Sequence, residues 1–421
     1  MDEWSTIKNK LSDSFPALRQ RDFRYFWTGQ CISLLGTWMQ RTAQQWLVYN
    51  ITKSPLLLGV LGVVQFAPML LFSLVAGVFV DRFPKKNLII VTQIILMFQA
   101  LVLAVLVWTG NVRYWHILLL AGIMGLVNTI DMPTRQSFII ELVGKKDLMN
   151  AIALNSSIVN VARILGPALS GVIMVYLGPA FCFFLNGISF IAVIIGLFKI
   201  KVRGAVVRTV RGKVTTDIVE GLKYIAANRV LLGAVLSMFV VGTFSINSDV
   251  IIPVMAKEVL HQQAGGYGLL LSAMAVGSFI AAVTVAAKSK KGPNRKFLIA
   301  CSILVSLSQM IIIFIHSYLL TVIALVFVGF FTISFTTTVN STIQLNSSSE
   351  YRGRVVSVYM LAFNGTTPIG NLFAGDITER FGANAGFFGC GAVTLILMAI
   401  VLVFMRHKTI KINRSNNVIS R

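Results

Sequence analysis

Long apolar segments recur along the whole chain and are separated by short polar stretches. Each is about as long as a helix that crosses a bilayer, and none alternates apolar and polar residues as a half-buried strand would. The pattern predicts an all-α membrane protein of twelve transmembrane helices, called runs 1 to 12 in chain order. The runs lie near 24–49, 55–80, 87–108, 114–138, 150–176, 180–199, 230–256, 266–287, 297–316, 318–344, 354–375 and 384–405.

Composition supports a membrane protein. Of 421 residues, 56% are hydrophobic and 12% are charged, which excludes a soluble or disordered chain and leaves no room for a large soluble domain. Unbroken apolar runs also disfavour an outer-membrane barrel. Positions 1–22 lack the apolar core of a removable signal, so run 1 is expected to be an uncleaved anchor.

The basic residues predict the topology. Thirty of the 37 Lys and Arg lie in the two tails and in every second loop, and four lie on the opposite side. Because basic residues are retained in the cytoplasm, both termini are expected there, in a bacterial inner membrane. The net charge of +22 then faces anionic lipids rather than nucleic acid.

The longest polar stretch divides the chain into two sets of six runs. The expected organisation is a tail at 1–22, a bundle at 23–199, a linker with an interfacial amphipathic helix at 200–229, a second bundle at 230–405 and a basic tail at 406–421. At an offset of 204, Asn160, Gly166 and Gly171 match Asn364, Gly370 and Gly375; at an offset of 209, 84–90 matches 293–299. These matches favour a parallel duplication around a central cavity.

The loop between runs 2 and 3 carries the strongest motif. Gly77 permits close helix packing, and Asp81 can face the positive end of a neighbouring helix. The loop also contains basic residues that could bind lipid phosphates, and these are Arg82, Lys85 and Lys86.

This loop resembles the signature of the major facilitator superfamily. Further segments are similar to the branch of enterobactin exporters and macrolide-efflux permeases, and they lie at 36–41, 131–136, 163–167 and 352–354. The resemblance implies a two-bundle secondary transporter that works by alternating access, with Asp81 as a latch between the halves. Ala286 and Lys290 stand at the repeated positions, so an asymmetric latch is expected.

Run 5 contains Gly166, Pro167 and Gly171, which resemble the family's antiporter motif with Ser170 in place of one glycine. The motif has two interpretations, a marker of coupling or a site of helix packing.

Ionisable side chains inside the runs are candidates for function because a charge in a bilayer is costly. Asp131 and Arg135 share a helix face, and Arg163 on the next run could approach them. They form either a structural cluster or a proton-coupling site. At an offset of 208, Arg41 matches Asp249, and the two either pair as an outer gate or meet water separately.

Polar side chains on several runs are expected to line a substrate cavity, although they could equally form interhelical hydrogen bonds. The candidates are Thr37, Gln40, Gln44, Gln65, Asn128, Asn160, Asn247, Asn340, Asn364 and Thr367.

No phosphate-binding loop, metal-ligand spacing or disulfide framework occurs in the sequence. We therefore expect no enzyme, metal or cofactor, with the proton gradient as the energy source. The expected function is proton-coupled export of an amphipathic small molecule, such as a drug, siderophore or metabolite, by a monomer. The alternatives are a lipid or lysolipid flippase and a non-transporting sensor or scaffold.

Overall fold

The structure is a computed structural model that describes residues 15–202, 204, 214–288, 292–348 and 350–419. The side chains at 73–75, 77, 78, 81, 214–218, 364 and 407–419 lie outside that description. Every regular element in the described residues is helical. The helices are α1 Arg21–Thr52, α2 Pro55–Arg82, α3 Lys85–Trp108, α4 Tyr114–Leu177, α5 Pro179–Lys199, α6 Val214–Ala227, α7 Arg229–Phe244, α8 Ser248–Val254, α9 Ala264–Lys288, α10 Arg295–Ile311, α11 Tyr318–Asn346, α12 Arg352–Asn364, α13 Thr367–Phe381 and α14 Ala383–Ile419.

All twelve predicted runs fall on these helices. Within the described ranges, nine segments are long and apolar enough to cross a membrane. One of them is α4, whose 64 residues would extend for about 96 Å, enough for two crossings. Gly144 interrupts it with a φ of 69°, a conformation that glycine adopts at little cost. The two arms of α4, 114–143 and 145–177, therefore correspond to runs 4 and 5.

Two of the runs, 7 and 11, each contain a break in the helix. The first is interrupted between α7 and α8, and the second between α12 and α13. At the first break, side-chain amides replace backbone donors, because Asn247 donates to the Thr243 carbonyl at 2.5 Å and Gln309 to the Ser245 carbonyl at 2.8 Å. At the second, Pro368 in the first turn of α13 favours a new helix start.

The chain forms two compact units. The first contains Met1–Thr52, Ala67–Val210 and Gln263–Ser272, and the second contains Lys53–Phe66, Arg211–Gln262 and Ala273–Arg421. The start of α2 thus groups with the second unit, and the start of α9 with the first.

Close glycine contacts repeat in the two units and support the expected duplication. In the first unit, Gly171 packs against Ala264 and Gly268 packs against Pro167. The second unit has the same contacts at the offsets of 204 and 209, between Gly375 and Pro55 and between Gly59 and Asn371. Both units thus use glycine to bring two helix backbones together.

The expected helix in the linker is α6, and it packs on the start of α12 in the second unit. Glu220 pairs with Arg354 at 2.5 Å, and the Tyr224 ring stacks on Tyr351 with centroids 4.5 Å apart. Hydrogen bonds from the side chain of Ser348 and then from its backbone lower the pKa of the Tyr224 phenol, because a donor stabilises the phenolate. The backbone N–H of Ser348 donates to the Tyr224 hydroxyl oxygen.

Candidate functional site

Asp131 is the buried acidic centre of the first unit. Its side chain lies on the first arm of α4, and the residue is 5% exposed. Oδ1 accepts hydrogen bonds from Thr92 Oγ1 at 2.5 Å and Gln93 Nε2 at 3.2 Å, while Oδ2 accepts one from Arg135 Nε at 2.5 Å. Asp131 and Arg135, which the four-residue spacing was expected to place on one helix face, therefore form an ion pair.

The carboxylate lies deep in a membrane-spanning helix, about 25 Å along it from Tyr114. One guanidinium and two neutral donors compensate its charge, which would otherwise be expensive in this environment. The network is not closed, because Arg135 Nη1 and Gln93 Oε1 are buried and have no partner among the described residues. These atoms offer alternative partners if the pair rearranges.

Arg163 lies elsewhere than expected. Among the described side chains, the partners of Asp131 are Thr92, Gln93 and Arg135, whereas the Arg163 guanidinium lies 5.3 Å from the ring centre of Trp38. Arg41 lies at the same distance from that ring. The structure therefore brings together Arg41 and Arg163 rather than Arg163 and Asp131.

Gln40 and Gln44 are buried in the first unit. Gln40 donates to Gln99 Oε1 at 3.1 Å and accepts from Asn186 Nδ2 at 2.8 Å, linking α1, α3 and α5. Gln44 is 3% exposed, and its Nε2 has no partner in the described part of the chain. A cavity role for either residue stays a prediction.

The remaining cavity candidates are distributed over both units. Thr37, Asn160 and Thr367 donate to carbonyls one helical turn back, as polar residues in membrane helices often do. Asn340 accepts from Gln344 at 2.9 Å. Asn128 and Gln65 are half-buried, and the Asn364 side chain lies outside the described residues.

The loop between α2 and α3 is held by contacts inside the first unit. Lys85 is 4% exposed and forms an ion pair with Glu141, and Lys86 Nζ donates to the Ile200 carbonyl at 2.6 Å. Lys85 therefore faces a carboxylate inside the protein rather than the lipid phosphates that the sequence suggested. Arg82 is exposed. The surroundings of Gly77 and the side chain of Asp81 lie outside the described residues, so the latch stays a prediction.

The second unit has a neutral polar centre at the break between α7 and α8. Ser245 Oγ lies 3.1 Å from Gln309 Oε1 and 2.9 Å from Thr394 Oγ1. Asn247 is 2% exposed, and Asp249 lies in the first turn of α8. Arg41 and Asp249 belong to different units, and their gate stays a prediction.

A sequence model of the transmembrane secretion effector family, within the major facilitator superfamily, matches residues 12–420. The chain belongs to this family. It is a multi-pass membrane transporter of the major facilitator type, and the expected resemblance to that superfamily is confirmed.

Similar proteins of the superfamily include exporters. The chain is 24% identical to the staphyloferrin A transporter of Staphylococcus aureus, over 94% of this chain and 100% of that one. It is 23% identical to the multidrug efflux pump Tap of Mycolicibacterium fortuitum, over 88% and 92%. The nucleoside transporter NupG has the same fold, with a TM-score of 0.74, 9% identity and coverage of 91% and 98%.

The partners of the site residues were missed by sequence reasoning in this member of the family. Thr92 and Gln93 bind Asp131, Trp38 contacts both arginines, and Glu141 pairs with Lys85. The sequence contains a signal for two of these partners, because Gln93 interrupts one apolar run and Glu141 follows the end of another. Trp38 gave none, since an indole in a membrane helix is ordinary.

Proposed function

We propose that this protein is a proton-coupled exporter of amphipathic small molecules in the cytoplasmic membrane of a bacterium, with both termini in the cytoplasm. It would work by alternating access of two six-helix bundles. Export is supported by the relatives, which include an efflux pump and a siderophore transporter. The orientation is supported by the concentration of Lys and Arg in alternate loops.

The observation that carries the proposal is the buried Asp131 with its incomplete network. A proton and the Arg135 guanidinium compete for the same carboxylate, because protonation removes the charge that holds the ion pair. Protonated Asp131 would release Arg135, whose buried Nη1 has no partner in the described residues. Release of the guanidinium would favour the other transport state, which links proton uptake to the conformational cycle.

The test is Asp131→Asn, which keeps the size and polarity of the side chain but cannot exchange a proton. Everted vesicles with an acidic interior are given a panel of a siderophore, a macrolide and a lysolipid. We expect the wild type to accumulate at least one of them and the variant to lose gradient-driven accumulation while keeping the affinity for that compound.

The matched control is Asp376→Asn. Asp376 pairs with Arg380 at 2.8 Å with the same four-residue spacing, but its side chain is 44% exposed. This variant should retain accumulation. Full gradient-driven accumulation in Asp131→Asn would remove Asp131 from the mechanism, and accumulation of the lysolipid alone would favour a flippase. A wild type that moves no compound and no protons would favour a sensor or scaffold.

A further inference from the structure

Two basic side chains of the first unit lie over one tyrosine ring. The guanidinium carbon of Arg21, at the start of α1, and the Nζ atom of Lys199, at the end of α5, each lie 5.6 Å from the ring centre of Tyr25. Both basic residues are exposed, and Tyr25 is half-buried. The two positive charges are therefore at most twice that distance apart, on a surface that a partner can reach.

Close packing of α1 on α5 fixes this arrangement. A Cβ added to Gly29 would lie 2.9 Å from the Val193 Cα, and one added to Gly196 would lie 2.7 Å from the Tyr25 carbonyl oxygen. Only glycine allows two helix backbones to approach this closely. Because later positions of α1 meet earlier positions of α5, the helices run antiparallel. The first residue of α1 therefore lies level with the last residue of α5.

The cluster lies at one end of a membrane-spanning helix. Lys199 is the last residue of the apolar span Pro179–Lys199. From this end, exposed apolar side chains recur along α5 every three or four residues, and they are Phe198, Ile195, Ile191, Ile188 and Leu185. Such a stripe on a spanning helix faces lipid tails, and the headgroup layer begins where the stripe ends. The two basic side chains therefore lie at the level of the lipid headgroups.

The surface around the cluster is positive. In the described part of the chain, the contact that both basic side chains make is with the Tyr25 ring. The acid next to them, Asp22, accepts the backbone N–H groups of Lys201 and Val202 through Oδ2, at 2.9 and 3.2 Å. Arg24 and Lys201 are exposed as well, so the cations outnumber this one carboxylate. The surface therefore attracts an anion from outside the protein.

The chemistry of the cluster fits a phospholipid. Guanidinium and ammonium groups both bind phosphate oxygens through charge-assisted hydrogen bonds. The ring holds the two cations in place through cation–π contacts, and tyrosine is common at the headgroup level because it combines an apolar ring with a polar hydroxyl. A phospholipid supplies a phosphate for the cations and tails for the stripe on α5, whereas free phosphate supplies only the first.

We propose that Arg21, Tyr25 and Lys199 bind the headgroup of an anionic phospholipid, whose tails lie along the exposed stripe of α5. The excess of basic residues predicts a general attraction to anionic lipids, and this site gives that attraction a defined place. By the predicted topology the site faces the cytoplasmic leaflet, whose surface is negative. The inference depends neither on the substrate nor on the coupling ion of the proposed exporter.

The experiment counts lipids bound to the purified full-length protein in detergent by native mass spectrometry. The protein is titrated with dioleoyl phosphatidylglycerol or dioleoyl phosphatidylcholine, which share their tails and the phosphate but differ in net charge. The Kd of the first phosphatidylglycerol should be lower than that of the first phosphatidylcholine by roughly fivefold or more. Arg21→Gln and Lys199→Gln should each weaken phosphatidylglycerol binding roughly fivefold, which is the usual effect of one basic residue at an anionic surface.

Lys288→Gln is the matched control. Lys288 ends the span Ala264–Lys288 as Lys199 ends its own span, and it is also exposed. Its loss removes the same charge from the second unit and should leave the Kd of the first phosphatidylglycerol unchanged. Tyr25→Phe keeps the ring and should lose less affinity than Tyr25→Leu, which removes the cation–π contacts. The comparison of the two lipids on the wild type needs no variant and holds even if a variant fails to fold.

Four results would overturn the inference. The first is an equal Kd for the two lipids, and the second is an unchanged phosphatidylglycerol Kd in folded Arg21→Gln and Lys199→Gln. The third is an equal loss in Lys288→Gln, which would indicate attraction to surface charge in general. The fourth is displacement of the lipid by excess inorganic phosphate at constant ionic strength, which would indicate a site for free phosphate.

The proposed function fails separately from the lipid site. A protein that binds phosphatidylglycerol through these residues but drives no accumulation of any compound would contradict export and leave the lipid site standing. A protein that exports a compound but binds both lipids equally would do the reverse.

Discussion

The two units bury different polar chemistry. Among the described residues, the charged side chains that are almost fully buried are Lys85 and Asp131, and both belong to the first unit. The buried polar side chains described in the second unit are neutral Ser, Thr, Asn and Gln. The two units have equivalent glycine contacts between helices. They therefore differ in buried charge although these helices pack in the same way.

The difference has a physical consequence. A buried ion pair has a second charge state, because protonation of the carboxylate removes the attraction that holds the cation, and a charge left buried without its partner costs about 3–5 kcal/mol. Neutral hydrogen bonds in a membrane are weaker and have no such second state near neutral pH. The first unit therefore contains buried groups whose charge matters for its stability, whereas the buried polar groups described in the second unit are neutral.

The second unit instead stabilises an interrupted helix. The break between α7 and α8 leaves backbone carbonyls without helical donors, which is unfavourable in a protein surrounded by lipid. Gln309 and Asn247 supply donors to Ser245 and Thr243. The neutral network thus supplies donors to backbone carbonyls at the break.

The largest effect on stability is expected from Lys85→Met. The substitution removes the cation of the ion pair with Glu141, in a site where the lysine side chain is 5% and the glutamate side chain 21% exposed. Removing one partner of such a pair should lower the free energy of unfolding by about 3 kcal/mol, measured by thermal and denaturant unfolding in detergent.

Two variants control this measurement. Lys86→Met removes the neighbouring cation, whose Nζ donates to the neutral Ile200 carbonyl, and should cost less. The double variant Lys85→Met with Glu141→Leu removes both charges and should recover most of the loss. Equal stability of Lys85→Met and the wild type would show that the first unit does not depend on its buried charge.

A smaller effect is expected from Gln309→Leu in the second unit. The leucine leaves the Ser245 carbonyl without a side-chain donor, which should cost about 1–2 kcal/mol. Gradient-driven accumulation per folded protein should persist, unlike in Asp131→Asn. Ser308→Ala is the matched control, because this hydroxyl only donates to Leu304 on an exposed face. Loss of proton coupling in Gln309→Leu would contradict the division of roles between the units.

The sequence predicted what depends on the solvent and on local spacing. Apolar runs locate the helices because lipid offers the backbone no hydrogen bonds. The pairing of Asp131 with Arg135 follows from four-residue spacing on one helix. The offset of 204 paired Gly171 with Gly375, and both lie at equivalent helix contacts.

What the sequence could not give are contacts between positions far apart in the chain. Lys85 and Glu141 are 56 residues apart, and Ser245 and Gln309 are 64 apart, so no local period links them. The break at 245–247 lies in an apolar run, and its compensating amide comes from α10. Arg163 was assigned to the wrong neighbours because Trp38, which contacts it, carries no charge to suggest a partner.

The smallest effect is expected from Glu220→Gln, which tests whether surface charge in the second unit matters as the buried charge of the first does. Glu220 and Arg354 pair at 2.5 Å, with side chains 43% and 29% exposed. Solvent screens such a pair, so its loss should cost less than about 1 kcal/mol, and the cost should shrink further at high salt.

The stack of Tyr224 on Tyr351 remains in this variant and should keep α6 on α12. Unfolding midpoints at low and high salt measure the effect. A salt-independent loss as large as that of Lys85→Met would show that the second unit also relies on charge, and the contrast between the units would then concern only its buried residues.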